Sequence, residues 1–386
     1  MSRRRTESSE LDGHCDPRFQ AVREAFACNF REEGEGGAAV CAIAAGRSVV
    51  DLWSGSADLA GTQPWRRDTL VNVFSAGKGV LTILALARVE AGELALDAPA
   101  AALWPELAAA GKAGLTLRLL LAHRTDLPAV REPLAAHAMY DWPRMCGALA
   151  AQHPYWEPGR AHGYHVNTWG FLVGELLRRA SGLPVERLLA RELGDPLGAD
   201  YHLGVPASEE PRVATVAFPG RPPAGPEELG AAFPPTGDPE RDAMIHHAYF
   251  NPGGLSGFGT VNTRAWREAV IPSTNGHGTA RALARAYAWF LGRSPALREE
   301  AIRTQSEGED LVLGRPSRFG LGFQLQRPGR SLGPGERAFG HFGHGGSVGV
   351  ADPDAGLAFA YVTSRPGPRF RSPRTDRLLA ALYACL

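Results

Sequence analysis

An α+β fold is predicted for this 386-residue chain, because β character is confined to its two ends and helical character fills its middle. An amphipathic helix and a hairpin come first, an Ala-, Leu- and Pro-rich helical stretch follows, and strands return before a last helix. That order is best met by one antiparallel sheet built from both chain ends, flanked by N- and C-terminal helices, with a helical lobe inserted. The length exceeds what a single hydrophobic core usually fills, so two lobes are expected. Residues 1–105 and 280–386 are assigned to an α/β lobe, and residues 106–279 to a mainly helical one.

From Pro17 to about Glu33, the residues Phe19, Val22, Phe26 and Phe30 recur at three- and four-residue spacing, which marks one face of a helix. Ala38–Ile43 and Ser48–Trp53, joined around Ala45-Gly46-Arg47, read as a β-hairpin. An apolar helix follows Ser75 and meets stop signals at Gly92 and Pro99. Further helices are expected at Leu117–His123, Pro143–Gln152 and Asn167–Ala180, the last closed by Gly182-Leu183-Pro184. Pro206 to Pro239 is a Pro- and Gly-rich loop, of a length typical of functional flaps or poorly ordered segments. Helix returns at Thr279–Leu291. Strands are expected at Leu321–Leu325, His344–Ala351 and Leu357–Thr363, with Asp352-Pro353-Asp354-Ala355-Gly356 as a tight turn. A last helix covers about Arg374–Ala384.

Composition narrows the function. Hydrophobic content of 44% and charged content of 21% are values of a globular protein. Zero formal net charge argues against nucleic acid or an anionic membrane surface as the partner. The five cysteines (Cys15, Cys28, Cys41, Cys146, Cys385) are scattered, with no C-x-x-C pair, which fits reduced thiols better than disulfides or a zinc site. The basic start lacks a following apolar region, so no secretory signal is expected. Apolar runs such as Val80–Ala87 are too short to span a bilayer. The expected location is the cytoplasm.

Ser75-Ala76-Gly77-Lys78 sets a nucleophile and a base three residues apart, where an apolar helix begins. Residues at i and i+3 share a helix face, so the lysine amine can sit beside the serine oxygen. The free N–H groups and positive dipole end of a helix start favour a developing alkoxide. A desolvated lysine can take the serine proton. The plainer reading of this common tetrad is an N-cap serine followed by a solvated lysine.

Two further stretches supply partners. Tyr164, in Pro158-Gly159-Arg160-Ala161-His162-Gly163-Tyr164-His165-Val166-Asn167, precedes a helix, and a phenol near a lysine amine can relay protons. A lone tyrosine is more commonly half-buried and hydrogen-bonded at a loop. Gly340-His341-Phe342-Gly343-His344-Gly345-Gly346-Ser347 is a glycine-rich strand against which a substrate could lie, with N–H groups for an oxyanion. Its plainer reading is a β-bulge carrying two solvent-facing histidines. Gly345-Gly346-Ser347-Val348-Gly349 matches G-x-S-x-G, but no histidine follows His344 and another strand follows the motif, so Ser347 is rejected as nucleophile.

With these motifs in order, the chain resembles the serine β-lactamase and penicillin-binding-protein superfamily, in the class C-like branch that includes family VIII carboxylesterases. The likeness runs from roughly Arg18 to the C-terminus and rests on Ser75–Lys78, Tyr164 within P-G-x-x-x-x-Y, and His341-Phe342-Gly343. Leu117–Pro128, Gly254–Ala265 and Asn275–Ala282 add family-like stretches. The resemblance implies a β-lactamase/transpeptidase-like fold forming one related unit. Two positions depart from the family pattern. The Y-x-N motif reads Tyr164-His165-Val166, with Asn167 one residue late. The third motif carries His341 where class C enzymes have a lysine that helps bind the β-lactam carboxylate.

The mechanism the resemblance implies is double displacement. Lys78, neutral or sharing a proton with Tyr164, activates Ser75 towards an acyl carbonyl. Backbone N–H groups of Ser75 and His344 would hold the oxyanion, and His341 and Gly343 would face the substrate. Tyr164 would protonate the leaving group, with no metal or organic cofactor. The expected function is a carboxylesterase acting on small neutral acyl esters, with at most weak β-lactamase activity. The alternatives are an acyltransferase to an alcohol or amine, and a non-catalytic binding protein. His246, His247 and His277 are read as surface or loop histidines, and Trp53, Trp65, Trp104, Trp142 and Trp169 as core or lobe-interface residues. Trp156 is expected to line a pocket near Tyr164.

Overall fold

A computed structural model describes residues 11–218, 220, 235–253, 257–329, 331–367 and 372–386. Most of the second half of the expected 206–239 loop, and the start of the Gly254–Ala265 stretch, lie outside the described residues.

Among the described residues the larger of two sheets has nine strands and is antiparallel throughout. Its spatial order is Asp12–Cys15, Arg47–Gly55, Gly37–Ala44, Leu357–Thr363, Val348–Asp352, Phe339–Phe342, Gln324–Leu325, Arg315–Phe319 and Ser306–Asp310. The two chain ends meet at its centre, where Thr363 pairs with Ala38 and Leu357 with Ala44. Side chains alternate across a strand, and here both faces are covered. Leu357, Phe359 and Tyr361 pack in one core, among residues of the helices Gln20–Glu32 and Pro373–Tyr383. Ala358, Ala360 and Val362 join the other core, which contains the helices Ala280–Leu291 and Ala76–Glu90.

The helix Ala76–Glu90 is buried all round from Ala76 to Ala87. A helix without a polar face belongs in the middle of a protein. It touches Ala280–Leu291, Thr168–Ser181 and the strand Phe339–Phe342, which carries its first turn to the end of the sheet. Thr168–Ser181 ends as expected at Gly182, in the left-handed conformation (φ +70°).

Two expectations are corrected and one element is new. His344–Gly346 is a 3-10 turn and the strand begins only at Val348, because Gly345 and Gly346 take φ of +76° and +118°. Of the histidines read as surface or loop residues, His246 is exposed on the helix Pro239–Phe250, with His247 half-buried beside it, whereas His277 is buried on the short strand His277–Gly278. The hairpin of Ser306–Asp310 and Arg315–Phe319 at the sheet edge was not expected at all.

Candidate active site

Ser75 is placed by a strained turn. Phe74 adopts φ +50°, a conformation that costs a non-glycine residue about 1–3 kcal/mol. Its N–H donates to Asn72 Oδ1 at 3.1 Å, and the helix begins one residue after Ser75. Ser75 occupies the N-cap position but makes no capping hydrogen bond, so its hydroxyl is not used to close the helix.

Lys78 is fully buried rather than solvated. Its Nζ donates to the carbonyl oxygens of Val166 (2.9 Å) and Ser273 (3.0 Å) and lies 3.2 Å from Ser75 Oγ. Burial pushes its pKa well below the ordinary lysine value of 10.5. A neutral amine has two N–H donors and one lone pair. In its neutral form the amine spends two donors on the carbonyls and has its lone pair left for the serine. Ser273 is itself fixed, since its Oγ donates to Asn167 O (2.8 Å) and accepts from Gly170 N–H (2.6 Å).

The Tyr164 ring lies 4.9 Å from Lys78 Nζ, almost parallel to Phe319 (6.0 Å, 9°) and beside His123 and His341 (4.9 and 6.0 Å). Its backbone is held by a residue the sequence reading missed. Asp310 Oδ1 accepts from the N–H groups of Tyr164 (2.9 Å), Val312 (3.1 Å) and Leu313 (2.9 Å). Asp310 Oδ2 accepts from Ser317 Oγ (2.9 Å), which in turn lies 2.9 Å from His162 Nε2. His123, also missed, is buried at φ +56°, and its Nδ1 accepts the His165 N–H at 3.2 Å. His165 is wedged between Thr125 Oγ1 and Gly163 O, 2.6 Å from each, and burial lowers its pKa to about 3. Both rings next to the lysine are therefore neutral at pH 7, since His123 is pushed down by burial as well. Trp156 packs against Gly163, next to Tyr164.

The strand Phe339–Phe342 ends beside the nucleophile. Its neighbour Gln324–Leu325 pairs only as far as Gly340, and the Phe342 N–H donates instead to Gln324 Oε1 (3.3 Å). His341 is buried, with Nδ1 2.9 Å from Phe342 O, so it is not the solvent-facing residue of the plainer reading. Gly343 is an obligatory glycine. A Cβ there would stand 2.3 Å from Val73 O and 3.3 Å from Ala76 N, so the strand end lies directly on the turn that carries Ser75. Gly343 N–H donates to Ser347 O at 2.6 Å, which brings the chain round through His344. Ser347 is buried at the start of a strand, with Oγ accepting from Thr363 N–H (3.4 Å).

Ser75, Lys78, Tyr164, His341, Gly343 and His344 thus come together from three separate segments. Asn167 Nδ2 donates to Ala248 O on the helix Pro239–Phe250 at 3.3 Å, and its buried Oδ1 has no hydrogen-bond partner among the described residues. Among the described residues no cluster of three or more His, Cys, Asp or Glu could hold a metal ion. No helix among them is long and apolar enough to cross a membrane.

Comparison with known proteins identifies the family and the fold. The family model described as Beta-lactamase matches residues 22–383. The esterase/beta-lactamase LipL of Mycobacterium tuberculosis is 34% identical over 373 residues, covering 92% of this chain and 82% of that protein. Among solved structures, a family VIII carboxylesterase superposes with a TM-score of 0.88 at 35% identity, covering 98% of this chain and 100% of the other. A penicillin-binding-protein homologue from Caulobacter crescentus gives a TM-score of 0.87 at 37% identity, with the same coverage.

Proposed function

We propose a serine carboxylesterase working through an acyl-enzyme on Ser75: the chain belongs to the beta-lactamase family, and Ser75 Oγ, the Lys78 amine and the Tyr164 ring lie together in one site. The observation that carries this reading is Lys78 Nζ, buried, with two positions taken by main-chain carbonyls and the third facing Ser75 Oγ at 3.2 Å.

Ser75 Oγ attacks the carbonyl carbon of a neutral ester while its proton passes to the Lys78 lone pair. The N–H groups of Ser75 and His344 receive the oxyanion, since Gly343 brings the strand end onto the helix start. Collapse of the tetrahedral intermediate breaks the bond to the alcohol, which leaves with a proton from Tyr164. Water then attacks the acyl-enzyme by the same route in reverse and releases the acid. His341 stands where class C relatives carry lysine, which supports weak β-lactamase activity at most. The substrate is a small-molecule ester. The five cysteines, none of them disulfide-bonded, support a cytoplasmic setting.

A fluorophosphonate probe tests this reading. Wild type is labelled and Ser75→Ala is not; absence of labelling in both would favour a non-catalytic binding protein. Supplying an alcohol during p-nitrophenyl ester turnover measures how the acyl group divides between water and acceptor.

A further inference from the structure

We propose that Phe218, Phe258 and His344 form the wall of an acyl-group pocket, and that the preferred substrates carry an aromatic acyl group. The proposal rests on the acyl-enzyme reading of Ser75 and adds to it the chemical class of the group transferred.

The three rings form one cluster with Phe74. Phe218 and Phe258 are stacked with centroids 4.0 Å apart at 24°. His344 meets Phe218 at 5.9 Å and Phe258 edge-on at 5.5 Å, and Phe74 lies 5.8 Å from both Phe218 and His344. The cluster is tied to the nucleophile from two directions. Phe74 precedes Ser75, and Gly343, which precedes His344, rests on Val73 O beside Ala76 N. Phe74 is buried and serves as the floor, whereas Phe218, Phe258 and His344 are only half-buried and keep ring surface to offer. No member of the cluster carries charge at pH 7, because burial lowers the His344 pKa to about 4. A wall of neutral rings favours an arene, which can stack or meet an edge at the same spacings, over a charged or strongly hydrated group.

The position of the leaving group assigns this wall to the acyl side. The alcohol must depart towards Tyr164, whose ring neighbours are His123, Phe319 and His341. None of these belongs to the Phe74–Phe218–Phe258–His344 cluster. With the carbonyl carbon over Ser75 Oγ and its oxygen at the Ser75 and His344 N–H groups, the remaining substituent, the acyl chain, is left to the second cluster.

The test compares p-nitrophenyl phenylacetate with p-nitrophenyl acetate, which share a leaving group, by kcat/KM and by mass spectrometry of the Ser75 adduct. A single methylene in an apolar pocket is worth about 10–200-fold, so a phenyl ring should give wild type at least a tenfold preference for phenylacetate. In Phe218→Ala and Phe258→Ala the loss should be about tenfold or more greater on phenylacetate than on acetate. Phe258→Leu, which keeps apolar bulk, should recover part of that difference. No preference in wild type, or equal losses on the two esters, overturns the pocket while leaving Ser75 acylation standing. No Ser75 adduct from either ester overturns the acyl-enzyme reading itself.

Discussion

Lys78 Nζ lies 3.2 Å from Ser75 Oγ while the carbonyl oxygens of Val166 and Ser273 hold its other two positions. An ammonium could satisfy all three positions only by keeping its proton between nitrogen and serine. A neutral amine satisfies two and leaves a lone pair for the serine proton. Burial without a neighbouring carboxylate favours the neutral form.

The pH profile follows from that shift. Lys78 must be unprotonated to act as base, so acylation is full above its folded pKa and falls as pH drops through it. That pKa lies well below 10.5 because the site removes water from the amine. The two histidines facing it, His123 and His165, are held neutral by burial. The expected kcat/KM profile for a p-nitrophenyl ester has an acid limb with its midpoint well below that of free lysine. A midpoint near 10 would contradict the account.

Gly343→Ala tests the contact between strand end and helix start. Its methyl would press on Val73 O, 2.3 Å away in the present geometry, and the strand end must retreat. The expected cost is about 1–3 kcal/mol of stability by denaturant melts. Loss of one oxyanion donor should lower kcat by about 10²–10³-fold.

Asp310 positions Tyr164 without touching substrate. Asp310→Asn keeps the shape but upsets the pattern of three backbone N–H groups and the Ser317 hydroxyl around the carboxylate. A displacement of about 1 Å at a catalytic group costs about 10²-fold, so kcat should fall strongly with KM nearly unchanged. A rise in KM of equal size would assign Asp310 to substrate binding instead.

Asp126 gives a stability signature of its own. Its carboxylate is buried, and burial raises its pKa to about 6, with its own backbone N–H and then Lys112 opposing. A raised acid binds its proton more tightly folded than unfolded, so stability falls as pH rises from the unfolded value of 3.8 to the folded one. Above pH 6 that penalty is complete. Asp126→Asn removes it and should gain about 1 kcal/mol more, relative to wild type, at pH 8 than at pH 5 in thermal or urea melts.

Much of this arrangement was legible in the sequence because it lies in side chains at fixed spacing. Ser75, Lys78, Tyr164 and His341 announce themselves by type and order, and the helices by apolar periodicity and their caps. The contacts that tune them are mostly main-chain groups. The carbonyls of Val166 and Ser273 and the N–H of Tyr164 carry no residue identity, so neither the lysine's environment nor the role of Asp310 could be read ahead. The hairpin carrying Asp310 escaped notice because Ser306–Asp310 and Arg315–Phe319 are mostly charged and small residues. That composition suits the outer edge of a sheet, where charge discourages pairing with other chains. Gly345 and Gly346 likewise turned an expected strand into the bend that delivers His344.

The most direct measurement of the central claim is single-turnover acylation of Ser75 by p-nitrophenyl acetate, followed by p-nitrophenol release and intact mass, in wild type, Ser75→Ala and Lys78→Met. The account predicts a stoichiometric burst and an acetyl adduct on Ser75 in wild type, none in Ser75→Ala, and acylation slowed by about 10³-fold or more in Lys78→Met. Acylation of Lys78→Met at close to the wild-type rate would contradict it.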